Sequence, residues 1–268
     1  MNRGVSPAMA TAVVTAWIVI GFLLAPIFVV VPYSFTAERY LSMPNGHWSL
    51  RHYEAIIENT AWLHALGDSG LVAICATILA TSVGAAAAIG VWQLGGRAAR
   101  IIGVLALLPM IVPSIVTALA LSRTWVALRL FDTLLGVVVS HAIIGIPFVF
   151  MTVTASLEGL DGRMVQAARS VGASSLRAIR DVVVPNIKTG LWSGALFAFF
   201  ASWDEVVVTM FVASRNVFTL PRKIFSDIRD NIDPTVTAVS SLMIFITVLI
   251  GVAYLLRGMA QATAKENQ

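Results

Sequence analysis

Six long apolar runs constrain this sequence more than any other feature, and only the fifth contains charged residues. The runs are Gly4–Ala37, Ser69–Gly96, Ile101–Ser122, Thr133–Leu157, Thr189–Ser214 and Pro234–Leu256. About 20 predominantly apolar residues are enough for a helix to cross a bilayer. The sequence therefore predicts an all-α, polytopic membrane protein with six transmembrane helices.

The composition agrees with a membrane location and argues against several other classes of protein. Hydrophobic residues make up 58% of the 268 residues and charged residues only 12%, whereas soluble proteins have about 25% charged residues. The single cysteine, Cys75, excludes an internal disulfide and a cysteine-rich metal site. The net charge of +4 comes from scattered bases without a basic tract, which argues against nucleic-acid binding. The first run exceeds a signal-peptide core of about 7–15 residues, so we interpret it as a retained helix.

The distribution of bases gives a weak preference for one orientation. Six spans place both termini on the same side of the membrane. With the N-terminus inside, the inner segments carry ten Lys and Arg residues and the outer segments carry eight. Inner loops of membrane proteins are enriched in these residues, and the short loop Gly95–Arg100 holds two arginines between two spans. We therefore expect both termini to be cytoplasmic.

The chain divides into three parts by this pattern. Residues 1–66 hold the first transmembrane helix and an outer, periplasmic segment, residues 67–257 hold a five-helix core, and residues 258–268 form a short cytoplasmic tail. The outer segment contains HWSLRHYEAIIEN, in which Ser49 is placed to cap an amphipathic helix. That helix could be a lid on the membrane core or a docking surface for a partner, and both interpretations stay open.

Two features inside the apolar runs could line a pathway or serve packing alone. Pro109 and Pro113 each remove a backbone hydrogen bond, so we expect the third span to be kinked or locally unwound. At Pro113 the kink could line a pathway or be architecture only. His141 is the only histidine inside a run. It could titrate or bind a ligand, but we favour a hydrogen bond to a neighbouring helix.

Asp204 and Glu205 are the only carboxylates in the fifth run, within the stretch SWDEVVVTMF. An acid at the centre of a span opposes insertion by about 2.5–3.5 kcal/mol, so the segment must face protein or water. On a continuous helix the two acids point about 100° apart, and Glu205 then shares a polar stripe with Ser202 and Thr209. We expect one acid to face a water-filled pathway, with a slight preference for Glu205. Trp203 could contact a cationic substrate, but a structural role for all of these side chains stays open.

The segment between the fourth and fifth runs is too polar to cross the membrane and too regular in its pattern for an extended loop. Met164–Val171 contains good helix formers, Gly172 interrupts them, and Ser174–Val184 carries apolar residues at helical spacing. Pro185 is expected to end the second helix. Two short helices that meet at a glycine would protrude from the membrane, a shape that suits a groove on a soluble partner.

The stretch QAARSVGASSLRAIRDVVVP resembles the "EAA" coupling loop of permease subunits in bacterial ABC importers. The residues that carry the match are Ala167, Ala168, Gly172, Ala173 and Pro185, while Gln166 stands where that family usually has Glu. HWSLRHYEAIIEN, SWDEVVVT and LPRKIFSDIRDNIDPTVTAVSSL extend the resemblance over nearly the whole chain. The sequence resembles the second permease of spermidine/putrescine-type importers, a branch that also handles opines, amino-acid-like solutes and phosphonates.

This resemblance implies a type I ABC importer permease fold in the bacterial inner membrane, with a cytoplasmic coupling loop at residues 158–188. It implies a cytoplasmic ATPase dimer, a homologous second permease and a periplasmic binding protein as partners. The chain has no Gly-x-x-x-x-Gly-Lys-Ser/Thr phosphate loop, so ATP hydrolysis is expected in the separate ATPase. We expect a permease and not an enzyme, without a cofactor or a metal site.

The predicted site residues form two groups. Contact with the ATPase is assigned to Gln166, Ala167, Ala168, Gly172, Ala173, Leu176 and Pro185, and the translocation pathway to Pro113, Ser202, Trp203, Asp204, Glu205 and Thr209. Two buried carboxylates favour a polyamine or related cation as substrate. An opine, an amino-acid-like solute or a phosphonate is the alternative within the class. An ion-coupled secondary transporter is the alternative outside it, although no inverted repeat is apparent.

Overall fold

The computed structural model describes residues 7–230, 233–246, 248 and 249. Within these ranges the regular structure is helical, apart from an isolated bridge between Thr36 and Trp48. The first helices are α1 (Pro7–Tyr33), α2 (Arg51–Glu58), α3 (Thr60–Leu94), α4 (Gly96–Ile111), α5 (Ser114–Leu128) and α6 (Leu134–Glu158). They are followed by α7 (Gly162–Ser170), α8 (Ser175–Ala178), a π-helical turn (Ile179–Val183), α9 (Val184–Asn186), α10 (Lys188–Trp203), α11 (Val207–Val212), α12 (Leu220–Asp230) and α13 (Thr235–Ile246).

The chain forms two compact units. One contains the described residues up to Thr60 and from Ser226 onwards, and the other runs from Ala61 to Phe225. In the first unit, the buried His52 on α2 lies between the backbone oxygen of Glu38, 3.0 Å from Nε2, and Thr235 Oγ1, 3.3 Å from Nδ1. These contacts join α2 to the start of α13 within that unit.

The cap of α2 differs by one position from the sequence prediction. Leu50, not Ser49, occupies the N-cap position and makes no side-chain cap. Ser49 Oγ nevertheless accepts a hydrogen bond from the backbone N–H of Arg51 at 3.2 Å. The serine therefore satisfies one free N–H at the start of the helix from just outside it.

The helices coincide with the predicted apolar runs, but some runs contain a break between two helices that the run lengths alone did not predict. Among the described residues, three helices are long and apolar enough to cross a membrane, namely Met9–Tyr33 within α1, α3 and α6. Two bent pairs raise that number to five when each pair is taken as one span. The sixth predicted run begins with α13, a shorter apolar helix. The rest of that run and the predicted tail lie largely outside the described residues, so the count of six stays a prediction.

The third run is broken between α4 and α5, which are bent by 106° relative to each other. Pro109 lies inside α4, whereas Pro113 occupies the N-cap position of α5 directly after the extended residue Val112. A residue before proline avoids the helical conformation because the proline ring clashes with it. The predicted kink is confirmed, and Pro113 rather than Pro109 is the residue at which the helix breaks.

Helices α6 and α10 pack antiparallel along their whole shared length. Gly145 lies against Ala198, and a Cβ added at Gly145 would meet the Ala198 Cβ at 3.1 Å. Further along, Gly194 approaches Thr152 and Val149, and Gly190 approaches Thr152 and Ser156. Small residues let helices approach closely in lipid, where packing and not hydrophobicity drives their association. The glycines therefore make α6 and α10 one tightly packed pair.

Candidate functional site

The fifth apolar run contains a helix break at the acid pair. Helix α10 ends at Trp203, and α11 begins four residues later at Val207. The N–H of Asp204 still donates to the Phe200 carbonyl at 3.0 Å, and the N–H of Glu205 donates to the Ser202 carbonyl at 3.4 Å. The expectation of one continuous helix through residues 204 and 205 is therefore wrong. The 100° separation deduced from helical geometry does not apply here.

The two acids occupy different environments at the break. Asp204 is exposed in the isolated chain, at the C-cap of α10. Glu205 is half-buried, and its Oε1 accepts a hydrogen bond from the backbone N–H of Val208 at 2.8 Å. That bond satisfies one of the free N–H groups at the start of α11. The Glu205 carboxylate therefore has a structural partner, whereas the Asp204 carboxylate is accessible.

His141 on α6 contacts both sides of this break. Its Nδ1 lies 2.8 Å from Ser202 Oγ on α10, and its Nε2 lies 2.8 Å from Thr209 Oγ1 on α11. The histidine is only 1% exposed, and both hydroxyl-bearing residues are also buried. The predicted hydrogen bond from His141 to a neighbouring helix is confirmed, and there are two such helices. Ser202 and Thr209 lie on two different helices, and both hydroxyl groups are directed at the histidine.

Aromatic side chains surround the end of α10. The rings of Phe199 and Trp203 are stacked with their centroids 5.7 Å apart, and Phe200 meets Phe199 edge to face at 5.8 Å. Phe200 and Phe197 each expose about half of their surface. The exposed Asp204 follows the half-exposed Phe200 by one helical turn, and aromatic faces attract organic cations.

The segment of residues 162–186, called the elbow segment below, has the predicted two-helix shape. Asp161 caps α7 by accepting from the N–H of Arg163 at 2.9 Å, and Ser174 caps α8 by accepting from the N–H of Arg177 at 3.3 Å. Between them Gly172 has a φ of +91°. Other residues avoid this backbone conformation, but glycine adopts it freely. Because no atom would obstruct a Cβ at Gly172, the conformation and not the space requires glycine.

The second half of the elbow segment departs from the prediction at Pro185. Instead of ending there, the helical path passes through the π-helical turn and α9 to Asn186. Helix α10 then leaves at an angle of 75°. A proline ring clashes with the carbonyl four residues earlier in a regular α-helix. The wider π turn before Pro185 relieves that clash, and the Asn186 side chain donates to the Val182 carbonyl at 2.7 Å.

The predicted ATPase-contact residues mostly lie on the surface of the elbow segment. Gln166, Ala167, Gly172, Leu176 and Pro185 are exposed, and Ala168 and Ala173 are partly buried. Two apolar side chains stand out on either side of the glycine, because Val171 is 87% exposed and Leu176 is 76% exposed. Val171 was not among the predicted residues, although it directly precedes Gly172. The elbow segment therefore has two strongly exposed apolar side chains.

The break and the elbow segment lie at opposite ends of the α6–α10 pair. Contacts between the two helices keep one register, from His141 with Ser202 through Gly145 with Ala198 to Ser156 with Gly190. Between Lys188 and Ser202, helix α10 rises about 20 Å at 1.5 Å per residue. The packed α6–α10 pair therefore connects the elbow segment to the acid pair, so that a movement of the elbow segment can be transmitted to residues 204 and 205.

The loop that follows α11 is held by side chains that the sequence analysis did not single out. Asp132 accepts hydrogen bonds from the backbone N–H groups of residues 214–216 at 2.7–3.1 Å. On α3, Asp68 accepts from the N–H of Phe218 at 3.0 Å, and Ser69 accepts from the N–H of Leu220 at 2.7 Å. These partners are 82 to 151 positions apart in the chain. No local pattern could have revealed them.

We predict that Asp132→Ala lowers the melting temperature of the detergent-solubilised protein at neutral pH. Burial raises the pKa of the Asp132 carboxyl, but hydrogen bonds from the backbone N–H groups that follow α11 outweigh burial and hold that pKa below its ordinary value. Hydrogen bonds to a charged group each contribute about 1.5–3 kcal/mol, less where water competes. Asp132→Asn is the control, because asparagine keeps one acceptor and tolerates the left-handed conformation (φ 57°) found there.

The same carboxylate gives this effect a pH dependence of defined sign. A pKa lowered by folding stabilises the protein above the unfolded-state pKa, and that contribution disappears as the pH falls through the folded-state pKa. The difference in melting temperature between the native protein and Asp132→Ala is therefore expected to shrink as the pH is lowered into this acid range. Equal melting temperatures at neutral pH would contradict the anchoring role of Asp132.

Comparison with known proteins identifies the family. The family described as "Binding-protein-dependent transport system inner membrane component" matches residues 80–260. The chain belongs to this family. It is therefore a permease subunit of a binding-protein-dependent ABC importer, and such systems as a class work with an ATPase and a substrate-binding protein. The match includes α6, the elbow segment, α10 and the helix break.

Individual relatives are similar over most of their length. The chain is 30% identical to the spermidine/putrescine transport system permease protein PotC of Haemophilus influenzae, over 86% of this chain and 90% of that one. It is 28% identical to the putrescine transport system permease protein PotI of Escherichia coli K12, over 86% and 84%. It is 27% identical to the putative 2-aminoethylphosphonate transport system permease protein PhnV of Salmonella typhimurium, over 81% and 82%.

The fold also matches a solved structure. The crystal structure of a bacterial ABC transporter involved in the import of the acidic polysaccharide alginate contains a chain that superposes with a TM-score of 0.71. The match covers 96% of this chain and 97% of that chain at 14% sequence identity. At that identity the likeness establishes the shared permease fold. The fold is therefore the all-α ABC importer permease fold that the sequence predicted.

Proposed function

We propose that this permease forms half of a translocation pathway for a small cation of the polyamine class. The observation that carries the proposal is the exposed Asp204 at a break between two half-helices, one helical turn after the half-exposed Phe200. The carbonyl groups at the end of α10 add a partial negative charge to the same place. Together these groups favour an alkyl-ammonium group over an anion.

The relatives support an ammonium-bearing substrate. PotC and PotI are named for spermidine and putrescine, and PhnV for 2-aminoethylphosphonate. All three compounds carry an amino group that is protonated at neutral pH. A carboxylate at the break can bind that group in either kind of solute, so an aminophosphonate stays the alternative to a polyamine. The exposed position of Asp204 favours it as the pathway acid, which reverses the slight preference for Glu205 from the sequence.

We assign the elbow segment to contact with a cytoplasmic ATPase dimer. Short helices with exposed apolar side chains dock into grooves on soluble partners, and Val171 and Leu176 provide such side chains. The remaining partners in this proposal are a homologous second permease and a periplasmic binding protein. Both termini are then cytoplasmic, and α2 lies on the periplasmic side. The division into residues 1–66, 67–257 and 258–268 also stays a proposal.

Purification of the complex through a C-terminal tag on this chain tests the proposal. We expect an ATPase and a second permease to co-purify, and the reconstituted complex to take up radiolabelled putrescine or spermidine only with ATP and the binding protein. Uptake of 2-aminoethylphosphonate in place of polyamines would select the alternative substrate. A chain that purifies alone and transports without ATP would overturn the proposal in favour of an ion-coupled transporter.

A further inference from the structure

We infer that His141 is the positioning residue of the helix break. Its imidazole joins α10 to α11 across residues 204–206, and it thereby fixes the direction of the Asp204 carboxylate. The inference rests on the proposed function in so far as Asp204 contacts the substrate. The geometric part, that His141 holds the break in one conformation, stands independently of the substrate.

The hydrogen bonds around His141 form a chain in which each donor and each acceptor can be assigned. The hydroxyl of Thr209 donates to the Glu205 carbonyl at 3.3 Å, so its oxygen is left to accept from His141 Nε2–H. The opposite ring nitrogen, Nδ1, then accepts from the hydroxyl of Ser202. A neutral imidazole with the proton on Nε2 satisfies both bonds at once. The chain runs from α10 through α6 to α11 and ends on the backbone of the break itself.

The other side-chain hydrogen bonds at the break stay within residues 205–209. Glu205 Oε1 accepts from the N–H of Val208, and Thr209 donates to the Glu205 carbonyl. Both hold the start of α11 to its own first turn, and among the described residues only the backbone bonds from Asp204 and Glu205 connect this turn directly to α10. His141 contacts both helices from a third, and its 1% exposure means that no water competes for its two bonds. His141 therefore links the two half-helices through side-chain hydrogen bonds, in addition to the core packing of Val208 and Val212 on α11.

The position of His141 on α6 connects the break to the elbow segment. Helix α6 leads into α7 through only three residues, and it packs along α10 through Gly145, Gly190 and Gly194. A tightly packed pair moves as one body. With His141 in place, the turn that carries Asp204 moves with that body. Without His141, α11 and the turn are no longer coupled to the movement of α6 and α10. Movement of the elbow segment then no longer sets the direction of the Asp204 carboxylate.

The test compares His141→Leu with His141→Gln in the complete transporter. Leucine removes both hydrogen bonds, while glutamine supplies one acceptor and one donor in their place. The accessibility of the break is measured as the reaction rate of Val206→Cys with a charged thiol reagent, in a Cys75→Ser background. We expect His141→Leu to change that rate, and to reduce uptake per assembled complex, by about tenfold each, as loss of a buried hydrogen bond predicts. His141→Gln should restore most of both values.

Two further variants separate positioning from a general role in folding. Ser202→Ala combined with Thr209→Val removes the same two bonds from the other side, so it should reproduce His141→Leu. Adding His141→Leu to that pair should then change little more. His64→Leu is the matched control, because His64 is exposed on α3, and we expect it to leave uptake and the labelling rate unchanged.

The outcomes separate this inference from the proposed function. An unchanged labelling rate in His141→Leu overturns the inference, and so does lower complex yield with normal uptake per complex. If Asp204→Asn transports normally while His141→Leu still changes the labelling rate, the role assigned to Asp204 fails and the positioning of the break by His141 stands.

Discussion

Replacing both Val171 and Leu176 by aspartate is expected to abolish ATP-dependent uptake and to release the ATPase from the complex. The two side chains are 87% and 76% exposed in the isolated chain and flank the bend at Gly172. Fully burying a Val or Leu side chain in an interface contributes about 1.5–3 kcal/mol. A carboxylate placed there loses that contact and must also be desolvated. Together the two substitutions should weaken ATPase binding by at least about a hundredfold.

Co-purification of the ATPase and uptake per complex measure this effect. Val171→Ile combined with Leu176→Met is the matched control, because it keeps apolar side chains of similar size at both positions. The control should retain the ATPase and most of the uptake. The aspartate variant should still fold, since neither side chain packs into the core. Normal ATPase recovery with the aspartate variant would remove the elbow segment from the proposed interface.

The elbow segment was predictable because its determinants are local. Gly172 interrupts a helical pattern, and its φ of +91° is a conformation that glycine adopts freely. Ser174 precedes the second helix and caps it through its own side chain. Only the passage through Pro185 was missed, because a proline normally ends a helix and nothing in the sequence signals a π turn.

The helix break at Asp204 was not predictable from local pattern. Ser202 to Val207 contains neither proline nor glycine, and an apolar run of this length indicates one continuous helix. Apart from the Glu205 side chain, the groups that stabilise the broken form come from elsewhere in the chain. His141 is 61 positions from Ser202, and the loop after α11 is held by Asp132 from 82–84 positions away. Such long-range polar contacts override the preference of the segment itself.

Asp204→Asn is expected to reduce uptake of a cationic substrate strongly while the complex assembles normally. Its carboxylate is exposed at the break, and asparagine keeps the size and the backbone while it removes the charge. A hydrogen bond to a charged group contributes about 1.5–3 kcal/mol. Each 1.4 kcal/mol changes an equilibrium tenfold, so uptake should fall by about 10-fold to 100-fold. Radiolabelled polyamine uptake per purified complex measures this loss.

Glu205 is expected to behave differently because its carboxylate already has a partner. Glu205→Gln keeps an oxygen that accepts from the N–H of Val208, so it should retain most of the uptake and stability. Glu205→Leu removes that acceptor, and the loss of a helix cap should lower stability by about 1 kcal/mol. A complex with Asp204→Asn and Glu205→Gln together should therefore resemble Asp204→Asn alone.

If both single variants and the double variant transport normally, neither acid acts in the pathway. If Glu205→Gln shows the larger loss, the pathway acid is Glu205, as the sequence slightly favoured.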